Sequence, residues 1–186
     1  MQGVLFTINP NPNTKRLNLI IMRKINEIII HCSATRPDQD INAETIDKWH
    51  KKHGWTGIGY HFFIRLDGTV ESGRPIKFNG AHTYGHNANT IGICYAGGII
   101  REGDKIKEID TRTKAQIASM HNLVKTLLIC FPSIIKISGH NQYANKKCPC
   151  FDVPKEFNKY LEYGCLWEQL RANEAYPDIA QTQFMW

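Results

Sequence analysis

The sequence lacks any apolar run close to the roughly eighteen residues that a membrane-spanning helix needs. It also lacks the pattern of a secretory signal peptide. Pro10 and Pro12 interrupt residues 1–24, and no continuous apolar region there is followed by a small-residue cleavage site. These two absences predict a protein with no membrane span that is made in the cytoplasm without a signal peptide.

Nucleic-acid-binding patterns are missing as well: there is no aromatic RNP pattern, no paired zinc-finger spacing and no run of clustered basic residues. The net charge of +6 and the pI near 9.0 would attract nucleic acid, an anionic membrane surface or an acidic cell-wall polymer, and they also suit plain solubility. Charge alone therefore identifies no partner, and we expect no nucleic-acid ligand.

Disulfide bonds are not needed to explain the six cysteines, because a chain of 186 residues with 42% hydrophobic content can bury a core without them. We expect reduced thiols and a monomer with one globular domain. Residues 1–24 are interpreted as a loosely attached arm, 25–162 as the domain, and 163–186 as a C-terminal extension.

Apolar periodicity predicts strands that alternate with helices. Strands are predicted at 25–33, 59–65, 70–73, 90–96 and 134–138. An Asp67-Gly68 turn joins the second and third of these strands as a hairpin. Helices are predicted after three capping residues, Asn42, Thr113 and Asp152.

Three smaller assignments follow from the same patterns. Trp49 is assigned to the core face of the first helix, whereas His50 and His53 are assigned to its solvated, Lys-rich face. The charged stretch 101–107, around Gly103, is predicted to form a surface turn.

A possible metal site is indicated by His140 and Cys148, which lie eight residues apart in a segment that begins near Gly139 and ends at Pro149. Such a segment cannot run as a helix, so the imidazole and the thiol can fold back toward one point, and both groups suit zinc. A third ligand must come from elsewhere, and His31 at the end of an apolar strand is the best candidate. The alternative is a surface loop that contains a buried free cysteine.

Two further residues have the right chemistry for a site of this kind. Lys146 precedes Cys148 by two residues and could stabilise the anion that forms when water attacks a carbonyl. Strand alternation lets only one of Tyr60 and His61 face the same cleft as His31. A tyrosine hydroxyl there could donate a hydrogen bond to the same anion, although a tyrosine in a half-buried strand more often has only a structural role.

Several segments, in this order along the chain, resemble the type 2 N-acetylmuramoyl-L-alanine amidase family. They are Ile30-His31-Cys32-Ser33-Ala34-Thr35, Gly54-Trp55, Ile58-Gly59-Tyr60-His61-Phe62, Asp67 through Arg74, Gly80-Ala81-His82, Asn89 through Ile93, and His140 through Pro149. The resemblance covers about residues 25–160 and is strongest to the phage T7 lysozyme branch, which is related to the peptidoglycan recognition proteins.

The resemblance implies an α/β fold in which a mixed central β-sheet is flanked by helices and holds one Zn²⁺. By position, the metal ligands would be His31, His140 and Cys148, and the catalytic residues Tyr60 and Lys146. His82 and Asn89 would contact substrate. The implied reaction is hydrolysis of the amide between the lactyl group of N-acetylmuramic acid and L-alanine in peptidoglycan, reached after lysis or assisted export.

Two other functions are compatible with such a fold: a peptidoglycan sensor that binds without cleaving, and a non-catalytic regulator that binds another protein. The joint presence of His31, His140, Cys148, Tyr60 and Lys146 argues against the sensor. The sequence departs from the family pattern in the residues before Met22, in Cys150 and in the C-terminal extension.

Overall fold

The computed structural model describes residues 23–162, which contain a five-stranded mixed sheet with helices packed against it. The strands are β1 (Glu27–Cys32), β2 (Phe62–Ile64), β3 (Val70–Ser72), β4 (Thr90–Tyr95), β5 (Ile99–Glu102), β6 (Lys105–Glu108) and β7 (Lys136–Gly139). The helices are α1 (Ala43–Lys52), α2 (Lys114–Cys130), α3 (Val153–Phe157) and α4 (Lys159–Glu162), with a short 3₁₀ turn at His140–Gln142. Residues 1–22 of the arm proposed for residues 1–24, and the whole extension 163–186, lie outside the described residues.

The sheet has the strand order β3-β2-β4-β1-β7, so β1 lies between two parallel neighbours. All six residues of β1 are buried, as expected for a central strand of a sheet that is covered on both faces. Its alternate side chains Ile28, Ile30 and Cys32 belong to the main hydrophobic cluster, while His31 points to the opposite face. The predicted separation of His31 from Cys32 is therefore confirmed.

The helix caps predicted from the sequence are present. The side chain of Asn42 accepts a hydrogen bond from the Thr45 backbone N–H at 2.9 Å, and Asp152 caps α3. Thr113 and Gln116 form a capping box at the start of α2. The buried Gln116 amide also donates to the Ala96 carbonyl at 2.8 Å, which fixes α2 against the end of β4.

Three details differ from the sequence-based expectations. Trp49 is 36% exposed, because Ile46 alone fills the buried face of α1, so its assignment to the core was wrong. The predicted surface turn is present at Gly103, where φ is +61°, but the residues on either side of it form an antiparallel hairpin of β5 and β6 that was not predicted. The last strand covers Lys136–Gly139, and the preceding Ile135 is 75% exposed.

Arg23 belongs to the folded domain, although the sequence placed it in the arm. Its guanidinium donates to the carbonyls of Ile76, Ala88 and Thr90 at 2.6, 2.9 and 2.8 Å. These bonds fasten both ends of the segment between Ile76 and Thr90, so the domain begins before residue 25. Within residues 23–162, no helix has the length and apolar character needed to cross a membrane.

Candidate metal centre

The sheet register brings two histidines together. Ile30 of β1 is paired with Gly139 of the parallel strand β7. The residue after each of these two is a histidine, so His31 and His140 lie side by side at the same end of the sheet, with their ring centroids 4.6 Å apart. Two rigid strand ends thus hold this pair.

The loop after His140 returns Cys148 to the same place. The Asn141 backbone N–H donates to the Cys148 carbonyl at 2.7 Å, and the buried Tyr95 hydroxyl donates to the Pro149 carbonyl at the same distance. Gly139 allows this close return, because a Cβ on it would lie 2.8 Å from Pro149 Cδ and 2.5 Å from Asn141 Oδ1.

The three predicted ligands form one compact group of donor atoms. One donor atom each from His31, His140 and Cys148 lies within 4.8 Å of the others, and His31 Nδ1 is 4.0 Å from Cys148 Sγ. His31 is fully buried, whereas His140 and Cys148 are half-buried, so the group is open on one side. This arrangement could hold a metal ion with a coordination position left for another ligand.

Both imidazoles are kept neutral. Burial, reinforced by His82, His140 and Lys146, lowers the pKa of His31 well below its ordinary value. Burial and the charge of Lys146 also lower the pKa of His140. A neutral imidazole has a free lone pair, so the protein environment favours the form that binds metal.

Tyr60, and not His61, lies beside the candidate ligands His31, His140 and Cys148. The Tyr60 ring is 5.1 Å from the His31 ring. Burial, with the nearby thiols of Cys94, Cys148 and Cys32, raises the pKa of Tyr60 well above its ordinary value, so the phenol keeps its proton. His61 has a structural partner instead, because its Nδ1 accepts the Gly92 backbone N–H at 2.9 Å.

Lys146 is exposed on the loop that carries Cys148. Its charge lowers the pKa of both His31 and His140, which places its ammonium group within electrostatic reach of the two imidazoles. The exposed position leaves it accessible to a ligand that enters from solvent.

The two residues predicted to contact substrate lie elsewhere. His82 is only 8% exposed, and its Nδ1 is 3.0 Å from His31 Nε2, so its ring lies behind the metal-ligand group. Asn89 is exposed and directly precedes β4. His31 is paired with Cys94 of β4, five residues further along, so Asn89 lies at the other end of this strand from His31. A substrate contact of either residue stays a prediction that these positions do not favour.

Sequence reasoning missed His50, which it placed on a solvated face. His50 Nδ1 accepts the Gly59 backbone N–H at 2.9 Å, and its ring lies 5.5 Å from Tyr60 and 4.5 Å from Trp55. His50 therefore fixes the approach of the chain to Tyr60. The only signal in the sequence was a histidine one helical turn before the Gly54-Trp55 pair.

Two further cysteines lie close to the group. The Sγ atoms of Cys32 and Cys150 are 3.9 Å apart, and both thiols are free. Burial raises the pKa of Cys150 to about 12, so this thiol is protonated and is a weaker metal ligand than a thiolate.

Comparison of the sequence with known proteins finds one enzyme family and several phage endolysins. Residues 22–151 match the N-acetylmuramoyl-L-alanine amidase family. The endolysin of Escherichia phage T7 is 42% identical over 132 residues, which cover 71% of this chain and 85% of the endolysin. The endolysin of Klebsiella phage KP32 is 36% identical over 137 residues, which cover 74% of this chain and 88% of that protein.

Solved structures show the same fold. N-acetylmuramoyl-L-alanine amidase LysC from Clostridium intestinale URNW has a TM-score of 0.61 at 32% identity, with 75% of this chain and 85% of that chain covered. Bumblebee PGRP-SA has a TM-score of 0.59 at 26% identity, with 74% and 83% covered. The expectation of a mixed sheet flanked by helices is confirmed. Because the family match spans well over half of the sequence, this chain belongs to the N-acetylmuramoyl-L-alanine amidase family of enzymes.

Proposed function

We propose that this protein is a zinc-dependent amidase that hydrolyses the bond between the lactyl group of N-acetylmuramic acid and L-alanine in peptidoglycan. The observation that supports it most is the convergence of His31, His140 and Cys148 in a chain of the amidase family. The products would be a glycan strand with a free lactyl carboxylate and a stem peptide with a free L-alanyl amine.

The donor set suits zinc. Two neutral imidazoles and one cysteine sulfur, which would bind as the thiolate, are ligand types of a catalytic zinc site, which keeps its fourth position open. Tetrahedral ligands at ordinary zinc distances lie about 3.5 Å from one another. The three donor atoms lie within 4.8 Å of one another, with His31 Nδ1 and Cys148 Sγ 4.0 Å apart, so they would have to draw closer around a bound ion. Zinc bound there would supply an activated water nucleophile at neutral pH and polarise the amide carbonyl.

Tyr60 would stabilise the charge that develops on the amide oxygen. Its phenol remains protonated at neutral pH because its pKa is raised by burial and neighbouring thiols, so it is available as a hydrogen-bond donor. A donor of this type matters most in the transition state, where the oxygen carries more negative charge than in the substrate.

Lys146 would act on the same charge from the solvent side. It is exposed on the loop that presents Cys148, and the ammonium of a lysine is a point charge that needs no exact alignment with the oxygen. Tyr60 is half-buried beside His31 and Lys146 is exposed, so substrate would approach from the side of Lys146.

Access to the substrate would require passage across the cytoplasmic membrane. We infer that the enzyme acts on the cell wall after lysis or assisted export, in line with the endolysins to which it is similar. Peptidoglycan is the proposed partner, and the chain is proposed to act as a monomer.

The test is digestion of purified peptidoglycan by the full chain, followed by mass spectrometry of the soluble and insoluble products. New L-alanyl amino termini, with the sugar backbone uncut, are expected. Binding to peptidoglycan with no new amino termini would instead support the sensor function, and new reducing sugar ends would contradict amide specificity.

A further inference from the structure

We propose that His82 is a positioning residue that holds His31 in the ring orientation and tautomer needed for metal binding. This inference rests on the proposed zinc site, because it assigns a role to a residue that acts on one of its ligands. It replaces the expectation that His82 contacts substrate.

The two nitrogens of His31 face different partners. Nδ1 faces Cys148 Sγ at 4.0 Å, whereas Nε2 lies 3.0 Å from His82 Nδ1. If Nδ1 provides the lone pair for the metal, Nε2 of the neutral ring must carry the proton. That N–H needs an acceptor inside the protein, and His82 Nδ1 is in place to accept it.

Thr90 determines which nitrogen of His82 is the acceptor. The Thr90 hydroxyl donates to the His86 carbonyl at 2.7 Å, so its proton is used there. Thr90 Oγ1, 3.4 Å from His82 Nε2, is then free to act only as an acceptor for an Nε2–H. A neutral His82 with the proton on Nε2 has its lone pair on Nδ1, the atom that faces His31.

Thr83 supports the same assignment. Its Oγ1 lies 3.0 Å from His82 Nδ1 and 3.4 Å from His31 Nε2. The hydroxyl can accept from His31 and donate to His82, so both the direct and the relayed hydrogen bond end at the unprotonated Nδ1 of His82.

The His82 ring occupies a space that exists because two of its neighbours are glycines. A Cβ on Gly80 would lie 2.3 Å from His82 Cδ2, and a Cβ on Gly92 would lie 2.5 Å from the same atom. No side chain fits at either position while the ring is present. The absence of a side chain at Gly80 and at Gly92 therefore makes room for the His82 imidazole.

The backbone of His82 is also held in place. Asn87 Oδ1 accepts hydrogen bonds from the N–H groups of His82 and Thr83 at 2.9 and 3.0 Å. A ring that is held at its backbone and packed closely against Gly80 and Gly92 can orient a neighbour, as partners of metal-bound histidines do when they accept the second ring N–H.

The test compares three variants with the full wild-type chain. His82→Leu removes both ring nitrogens, His82→Asn keeps an acceptor near the position of Nδ1, and Tyr84→Ala changes a fully exposed residue of the same loop. Zinc affinity is measured by competition with a chromophoric chelator, and folding of the metal-free proteins by circular dichroism.

His82→Leu should weaken zinc affinity about 10- to 100-fold, which is the usual effect of removing such a partner. His82→Asn should recover most of the loss, and Tyr84→Ala should match wild type. Wild-type affinity in His82→Leu would overturn the proposal, as would an equal loss in the leucine and asparagine variants when both are folded.

Nitrogen-15 NMR of the wild-type histidine rings needs no variant. His82 protonated at Nε2 and His31 protonated at Nε2 are expected, and a His82 ring protonated at Nδ1 would overturn the proposal. The same two protonation sites, Nε2 of His82 and Nε2 of His31, are expected in the metal-free protein. A wild-type chain that binds no zinc would thus contradict the proposed function, while the His82 tautomer would still decide this inference.

Discussion

The backbone N–H of Cys32 donates a hydrogen bond to Cys148 Sγ at 3.2 Å. Cys32 follows His31 in β1, so one strand end presents both a candidate ligand and a donor to the sulfur of another. This hydrogen bond holds the Cys148 sulfur beside the end of β1, next to His31. This contact links the central strand to the loop that closes the candidate metal centre.

Cys148→Ser should therefore abolish tight zinc binding. A serine hydroxyl does not ionise at neutral pH and is a poor replacement for the thiolate. Metal analysis after dialysis should find far less than one zinc per chain in this variant. Cys150→Ser is the matched control and should keep its zinc, and a full equivalent in Cys148→Ser would move the site elsewhere.

Tyr60→Phe and Lys146→Ala should retain zinc and lose turnover. Each removes a group that acts on the developing oxyanion, and loss of one such donor costs about 100-fold or more in kcat, or ~3 kcal/mol. Steady-state kinetics on soluble muropeptides, with zinc content measured in the same samples, separates catalysis from metal binding.

The neighbouring exposed residue provides the control for this pair. Lys147→Ala changes the same charge at the next position and should keep near-wild-type turnover. If Lys146→Ala and Lys147→Ala lost activity equally, general attraction of substrate by positive charge would account for the effect.

Arg23→Ala should destabilise the domain by about 2–3 kcal/mol, because three carbonyls would lose a charged donor. Chemical denaturation measures this free energy. Lys24→Ala, at an exposed position, should change the free energy of unfolding very little.

A chain that begins at Met22 retains Arg23, and it should bind zinc and cleave peptidoglycan like the full chain. Loss of activity in that shorter chain would show that residues 1–21 contribute to function.

Stability of the metal-free protein should fall as the pH drops below about 6.5. Burial lowers the pKa of His61 to about 4, and it also lowers those of His31 and His82. Below about pH 6.5, the ordinary value, the unfolded chain therefore binds more protons than the folded chain, so acid favours unfolding. For His61 alone the loss would reach about 3 kcal/mol near pH 4.

Denaturation midpoints between pH 8 and pH 4.5 measure this dependence. They should be level above neutral pH and fall steadily below it. His61→Asn, which keeps an acceptor for the Gly92 N–H, should reduce the slope. A midpoint that stays constant across this range would show that the buried histidines do not titrate with unfolding.

The convergence of the three candidate ligands was predictable in part from the sequence, because the strands that carry two of them are local features. His31 is the penultimate residue of the apolar strand β1, and His140 directly follows β7, so two short patterns placed both near strand ends. The structure adds the register of Ile30 with Gly139, which makes the two histidines neighbours. No sequence pattern encodes which strands pair.

The contacts of His82 and Arg23 could not be predicted in the same way. The space for the His82 ring is formed by Gly80 and Gly92, which become its walls only after β4 joins the sheet. The carbonyl partners of Arg23 are 53 to 67 residues away in the chain. Contacts of this range depend on tertiary packing, which local periodicity does not contain.

Titration of metal-free protein with zinc, with amide cleavage of peptidoglycan followed at each addition, tests the central claim most directly. Release of L-alanyl amino termini should be absent without metal, rise in proportion to added zinc and level off at one equivalent per chain. Full activity in protein shown by metal analysis to be metal-free would contradict a zinc-dependent amidase.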